Sequence, residues 1–141
     1  MLWTFDFDGV VTAPSKCLKL LKFIGRNTIK KISPRLYYHL IMPFNHRCKP
    51  NQAAVALMLM LNAKFPGEVA IVTAREPRDE LKTVEWWRRH FPKDASPDIY
   101  AVNENKILFI ATLRPLIHFD NREDVKKALE KHNIFCLLIG G

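Results

Sequence analysis

LWTFDFDGVVT, residues 2–12, decides the fold. Leu2 to Phe7 alternates and is rich in aromatic side chains, which predicts a β-strand. The strand runs into Asp8-Gly9, a turn signal. Asp6 and Asp8 lie two apart and so point to the same side of an extended chain. From residue 68 onward, short apolar strands and helices alternate. The pattern predicts strands over 69–73, 99–102, 116–119 and 134–139. It predicts helices over 78–91 (ended by Pro92), 105–113 and 122–132. Such alternation with short connections indicates a parallel sheet with helices on its faces, an α/β fold.

Between these parts lies a segment of different character. Residues 13–67 hold ten Lys or Arg and no Asp or Glu, whereas the rest of the chain holds 12 basic and 14 acidic side chains. The net charge of +8 is therefore concentrated in one segment, which suggests that it faces an anion. Ser15 to Ile32 predicts a helix with Lys19, Lys22, Arg26 and Lys30 on one face and Cys17, Leu20, Leu21 and Ile24 on another. A break is expected at Gly25. A short helix over 36–42 should stop before Pro43. A further helix over 51–64 is so uniformly apolar that burial on most sides is expected. The chain thus divides into a core of residues 1–12 and 68–141 and an inserted basic helical unit, 13–67.

Composition excludes several classes. Hydrophobic residues make up 48% of the 141, enough for a core and too many for disorder. The longest apolar run, Ala53 to Leu61, has nine residues, far short of the roughly 20 that a membrane-spanning helix needs. The N-terminus lacks the basic start and cleavage site of a secretory signal. Three widely spaced cysteines (Cys17, Cys48, Cys136) fit a reducing, cytoplasmic setting better than a disulfide scaffold or zinc ribbon.

In an open parallel sheet, ligands sit beyond the carboxyl ends of the strands. The strand ends carry Asp6, Asp8, Thr73, Asp120 and Asn121, and Lys106 opens a helix beside them. Three carboxylates offer an oxygen-rich site for Mg²⁺, with water and a substrate phosphate completing it. One carboxylate can attack phosphorus, and its neighbour two residues on can protonate the leaving alkoxide and later activate water. Thr73 and Lys106 can bind the transferring oxygens.

These residues resemble a known family. FDFDGVVT (5–12), IVTAR (71–75), Lys106 and HFDNRED (118–124) are similar, in order, to the four motifs of the haloacid dehalogenase (HAD) superfamily of phosphohydrolases. The resemblance implies a Rossmann-like sheet of strand order 5-4-1-2-3 and a helical cap at the position of 13–67. It implies Asp6 as nucleophile, Asp8 as general acid/base, and phosphate held by Thr73 and Lys106. Mg²⁺ would be held by the Asp6 carboxylate, the Asp8 carbonyl and Asp120, with Asp124 steadying the site. In the other alignment Asn121 replaces the charged ligand and Mg²⁺ binds more weakly. Retention of charge favours Asp120.

The TAR and FDNR stretches also resemble phosphatases of polynucleotide ends and small nucleotidases. With a roof of Lys19, Lys22, Arg26 and Lys30, and with Arg75 beside the site, the expected substrate is a nucleotide or a nucleic-acid phosphate end. Aromatic side chains of the insertion could stack a base. A small-metabolite phosphatase, or a non-catalytic module binding anions or a membrane surface, are the alternatives. Membrane-surface binding is not expected, because the apolar face of the 15–32 helix is expected to pack inward. Of Trp86 and Trp87, one is expected to pack inward and the other to mark a partner surface.

Overall fold

The computed structural model describes residues 1–91 and 97–140. Strand β1 (Trp3–Phe5) lies at the centre of a five-stranded sheet, flanked by β4 (Val69–Thr73) and β6 (Ile117–Asp120). β5 (Asp98–Ala101) and β7 (Cys136–Leu138) form the edges, giving β5-β4-β1-β6-β7 with every pairing parallel. Numbered among themselves and read from the other edge, these five run 5-4-1-2-3. β2 (Thr12–Ala13) and β3 (Lys49–Pro50) form a separate antiparallel pair that the sequence did not announce.

Every residue of β1 and β4 is buried, as expected of central strands covered on both faces. Alternate side chains feed two cores. Phe5 and Ile71 pack with Trp86 and Trp87 of α5 (Glu80–His90) and with Val55 and Met58 of α4 (Gln52–Lys64). Val72 joins Ile110 of α6 (Lys106–Leu113) and Val125 and Leu129 of α7 (Glu123–Glu130). The result is three layers, with helices on both faces of the sheet. Both tryptophans are buried, so neither marks a partner surface. Trp86 donates its indole N–H to the Cys48 carbonyl at 2.8 Å. Pro92, expected to end α5, lies outside the described residues.

The inserted helices are α1 (Lys16–Asn27), α2 (Ile29–Ile32) and α3 (Pro34–Asn45), rooted between β2 and β3. Helix α4, assigned by its sequence to the insertion, packs on the sheet through Ala54, Val55 and Met58 while Met60 is exposed, so it is buried on one side only. Ser15 caps α1 by accepting from the Leu18 N–H. The break falls at Thr28, not Gly25. Thr28 donates its hydroxyl to the Ile24 carbonyl, and Asn27 donates its amide to the Phe23 carbonyl, so these side chains compete for the helix's own acceptors. Gly25 serves close packing instead: a Cβ there would come within 2.8 Å of the Tyr37 ring. Pro43 does not stop α3. It deletes one hydrogen bond near the helix end, and burial of Ile41, Met42 and Asn45 carries the helix past it. Tyr38 ties α3 to the core, donating to Asp79 at 2.5 Å and accepting from the Glu76 N–H at 2.8 Å.

Candidate active site

Beyond Phe5 the chain leaves the sheet in a single wide helical turn, Phe7–Val11. Gly9 turns it at φ 86°, and a Cβ there would lie 2.3 Å from the Asn121 side-chain nitrogen. Glycine is therefore required both for the backbone angle and for the approach of the β6 end. Residues of three strand ends and the start of α6 gather there.

Asp6 is 6% exposed, anchored by its N–H on the Phe119 carbonyl. Lys106, the first residue of α6 and equally buried, sits between two carboxylates: Nζ lies 3.0 Å from Asp6 Oδ1 and 2.7 Å from Asp120 Oδ2. Burial raises the Asp6 carboxyl to about 6; Asp120 and Asp8 add to this while Lys106 opposes it. Burial alone would lower the Lys106 ammonium, but Asp6 and Asp120 overcome it and raise it.

Asp120 is fully buried and fully occupied. Oδ1 accepts from the N–H groups of Asn121 and Arg122, at 2.8 and 3.0 Å. Oδ2 accepts from Lys106, and His118 Nε2 lies 3.1 Å away. His118 Nδ1 is 2.8 Å from the Thr4 hydroxyl. Burial would raise the Asp120 carboxyl, but hydrogen bonding to His118 and the charge of Lys106 take it down to about 2. A carboxylate has about four acceptor positions, and all four are filled. Its neighbour Asn121 is the opposite case. Among the described residues, Asn121 Oδ1 is buried with no hydrogen-bond partner.

Asp8 meets Arg75 in a two-point fork, Nε to Oδ2 at 2.9 Å and Nη2 to Oδ1 at 2.7 Å. Arg75 Nη1 donates to Thr83 Oγ1 and to His46 Nδ1, each at 3.0 Å, and the guanidinium lies 4.6 Å from the Phe7 ring centre. Four of its five N–H groups are thus spent inside the protein, so it acts on Asp8 instead of standing free for substrate. Burial would raise the Asp8 carboxyl, but Arg75 holds it below the ordinary range.

A cavity of about 490 Å³ opens over this cluster, and Asp120 lies behind its lining. Asp6, Asp8, Thr73, Lys106 and Asn121 contribute from the core, and Lys19, Lys22 and Arg26 contribute from α1. Thr73 Oγ1 accepts from the Arg75 N–H at 3.3 Å. Lys30 does not line the cavity. The break at Thr28 turns it away, and its ammonium lies 5.6 Å from the Tyr37 ring centre. Asp124 does not steady the site either: its side chain is 67% exposed and pairs with Arg122 on the surface. Arg122 itself lines the cavity, although it was not among the site residues expected from the FDNR stretch that contains it. Among the described residues no cluster of three or more His, Cys, Asp or Glu side chains could hold a metal ion. A cation here must take backbone or amide oxygens as well.

No protein-family model matches the sequence, and no curated protein matches it. Solved structures do. One is a HAD family enzyme from Bacteroides thetaiotaomicron in complex with magnesium and inorganic phosphate, superposing with a TM-score of 0.60 at 13% identity, over 96% of this chain and 92% of that one. The same enzyme in its magnesium complex gives a TM-score of 0.57 at 13% identity, over 99% and 92%. The chain has the fold of that enzyme over nearly its whole length.

Proposed function

We propose that this chain, carried on the fold of a HAD family enzyme, is a Mg²⁺-dependent phosphomonoester hydrolase for nucleotides or nucleic-acid phosphate ends. The observation that carries the proposal is Asp6, fixed by Lys106 and neighboured by Asp8 at the floor of a cavity roofed by Lys19, Lys22 and Arg26. The magnesium and phosphate bound by the structural neighbour support the metal and the substrate class.

The residues present fit a magnesium ion. Asp6 would supply a carboxylate, Asp8 a main-chain carbonyl, and Asn121 its Oδ1, which has no hydrogen-bond partner among the described residues. Asp120, filled by four hydrogen bonds, holds Lys106 and the following turn instead of the metal. Only one ligand would then carry charge, so Mg²⁺ would bind more weakly than to a carboxylate pair. When bound, the ion neutralises charge on the transferring phosphoryl group.

An Asp6 oxygen attacks phosphorus, forming an acyl phosphate while the P–O bond to the leaving group breaks. Asp8, kept ionised by Arg75, takes a proton from the substrate's phosphate monoanion and passes it to the leaving oxygen. Water then attacks the acyl phosphate, Asp8 accepts its proton and passes it to the departing phosphate, and Asp6 is restored. Lys106 and Thr73 hold the phosphoryl oxygens, and Arg75 fixes the direction of Asp8. The insertion, residues 14–48, is the cap that selects the substrate.

Steady-state phosphate release, with substrate and Mg²⁺ varied in turn, tests this. Phosphorylated oligonucleotide ends and nucleotides should give higher kcat/KM than sugar phosphates, falling steeply with added salt. Asn121→Leu should raise the Mg²⁺ needed for half-activation. A flat salt response with sugar phosphates preferred would reject the nucleic-acid assignment. Unchanged Mg²⁺ dependence in Asn121→Leu would reject the ligand set.

A further inference from the structure

We propose that the outer face of the α1–α3 hairpin, where exposed aliphatic side chains sit among basic ones, docks the protein on an anionic lipid surface. The sequence suggested that Cys17, Leu20, Leu21 and Ile24 pack inward. In the structure Leu20 is 59% exposed and Ile24 50%. The side of α1 that is buried carries Leu18 and Gly25, seven residues apart on one stripe. Lys22 and Arg26 lie to one side of that stripe and face the cavity. Leu21 and Ile24 lie to the other side. On α3, burial falls on Ile41, Met42 and Asn45, and Leu36 and Leu40, one turn apart, are turned outward at 51% and 48% exposure. Ile32, at the end of α2 joining the two helices, is 88% exposed beside Lys30 and Lys31.

Large aliphatics left bare on adjoining helices mark an interaction site. Charge decides the occupant. Residues 13–67 have no acidic side chain, so a second copy would set two strongly basic segments against each other with nothing to neutralise them. A folded protein partner is recognised by directional hydrogen bonds as well as by apolar contact. Here the exposed Asn27 and Thr28 donate to carbonyls of their own helix, and the other outward groups of the hairpin include aliphatic side chains and the flexible ammonium or guanidinium groups of Lys16, Lys30, Lys31 and Arg35. A membrane interface suits that combination. Leucine and isoleucine enter the acyl boundary, and the basic side chains reach anionic headgroups. Among the described residues no helix is long and apolar enough to cross a membrane, so the contact is peripheral.

Co-sedimentation of the full chain with vesicles tests the proposal, using phosphatidylcholine alone or mixed with about a third phosphatidylserine. The expected result is partition onto the mixed vesicles, at least about tenfold weaker on neutral ones and weakened by salt. The double variant Ile24→Glu/Leu40→Glu should lower partition about tenfold or more, as should Lys30→Glu/Lys31→Glu. All four positions lie outside the cavity, so hydrolysis of a small aryl phosphate in solution should be unchanged in both variants and reports that they fold. Failure to bind anionic vesicles overturns the proposal. So does binding untouched by Ile24→Glu/Leu40→Glu, which would reduce the effect to polyanion attraction. A dimer in sedimentation velocity that this variant dissolves, without vesicle binding, would make the face a contact between copies and also overturn it.

Discussion

Lys106→Met is expected to remove about 3–5 kcal/mol of folding stability, measured as the loss in urea unfolding with a chelator present. The ammonium lies between Asp6 Oδ1 and Asp120 Oδ2, all three side chains nearly sealed from water. Without it, two carboxylates face each other with no cation, in a place where solvent cannot screen them. Such a loss is a large fraction of the roughly 5–15 kcal/mol that holds a domain of this size together. Adding Asp120→Asn to the same chain should recover part of it, because one of the two stranded charges is then gone. A loss below about 1 kcal/mol would mean that the triad is open to water and that the site is not the preorganised one described.

Asp8→Asn is expected to lower phosphate release by about 10²–10⁴ at saturating substrate. The amide can neither protonate the leaving oxygen nor take a proton from water. Stability should fall as well, since Arg75, 2% exposed, keeps its charge and loses the carboxylate that its fork grips. The two effects are separable by measuring kcat at a temperature where circular dichroism shows the variant still folded. A kcat within about threefold of wild type would remove Asp8 from the chemistry.

The sheet was legible because its signals are local. VAIVT at 69–73 is an uninterrupted apolar run, as a strand buried on both faces must be, and the acidic pair after β1 falls at a strand end where any parallel sheet places its ligands. Asp6, Asp8, Thr73 and Lys106 were found by that rule, and the structure brings all four to one cavity. Other parts were not legible. Arg75 grips a carboxylate 67 residues away, and nothing local distinguishes that from a free substrate-binding arginine. Choosing between Asp120 and Asn121 depends on which of two adjacent side chains points into the site, and neighbours in an extended chain point opposite ways. Helical spacing placed Leu20, Leu21 and Ile24 on one side of α1, but spacing alone does not say whether that side meets protein or solvent. Lys30 left the basic stripe because Thr28 competes for a helix carbonyl, a side-chain hydrogen bond that periodicity does not register.

Whether Asp6 is the nucleophile is decided by phosphate release from a generic aryl phosphate, with and without Mg²⁺, in wild type and Asp6→Asn. Hydrolysis is expected to require Mg²⁺ and to be abolished by the substitution, since the nucleophile is lost while the shape of the site is kept. Hydrolysis that continues in Asp6→Asn, or a wild type inactive at every Mg²⁺ concentration, would contradict this expectation.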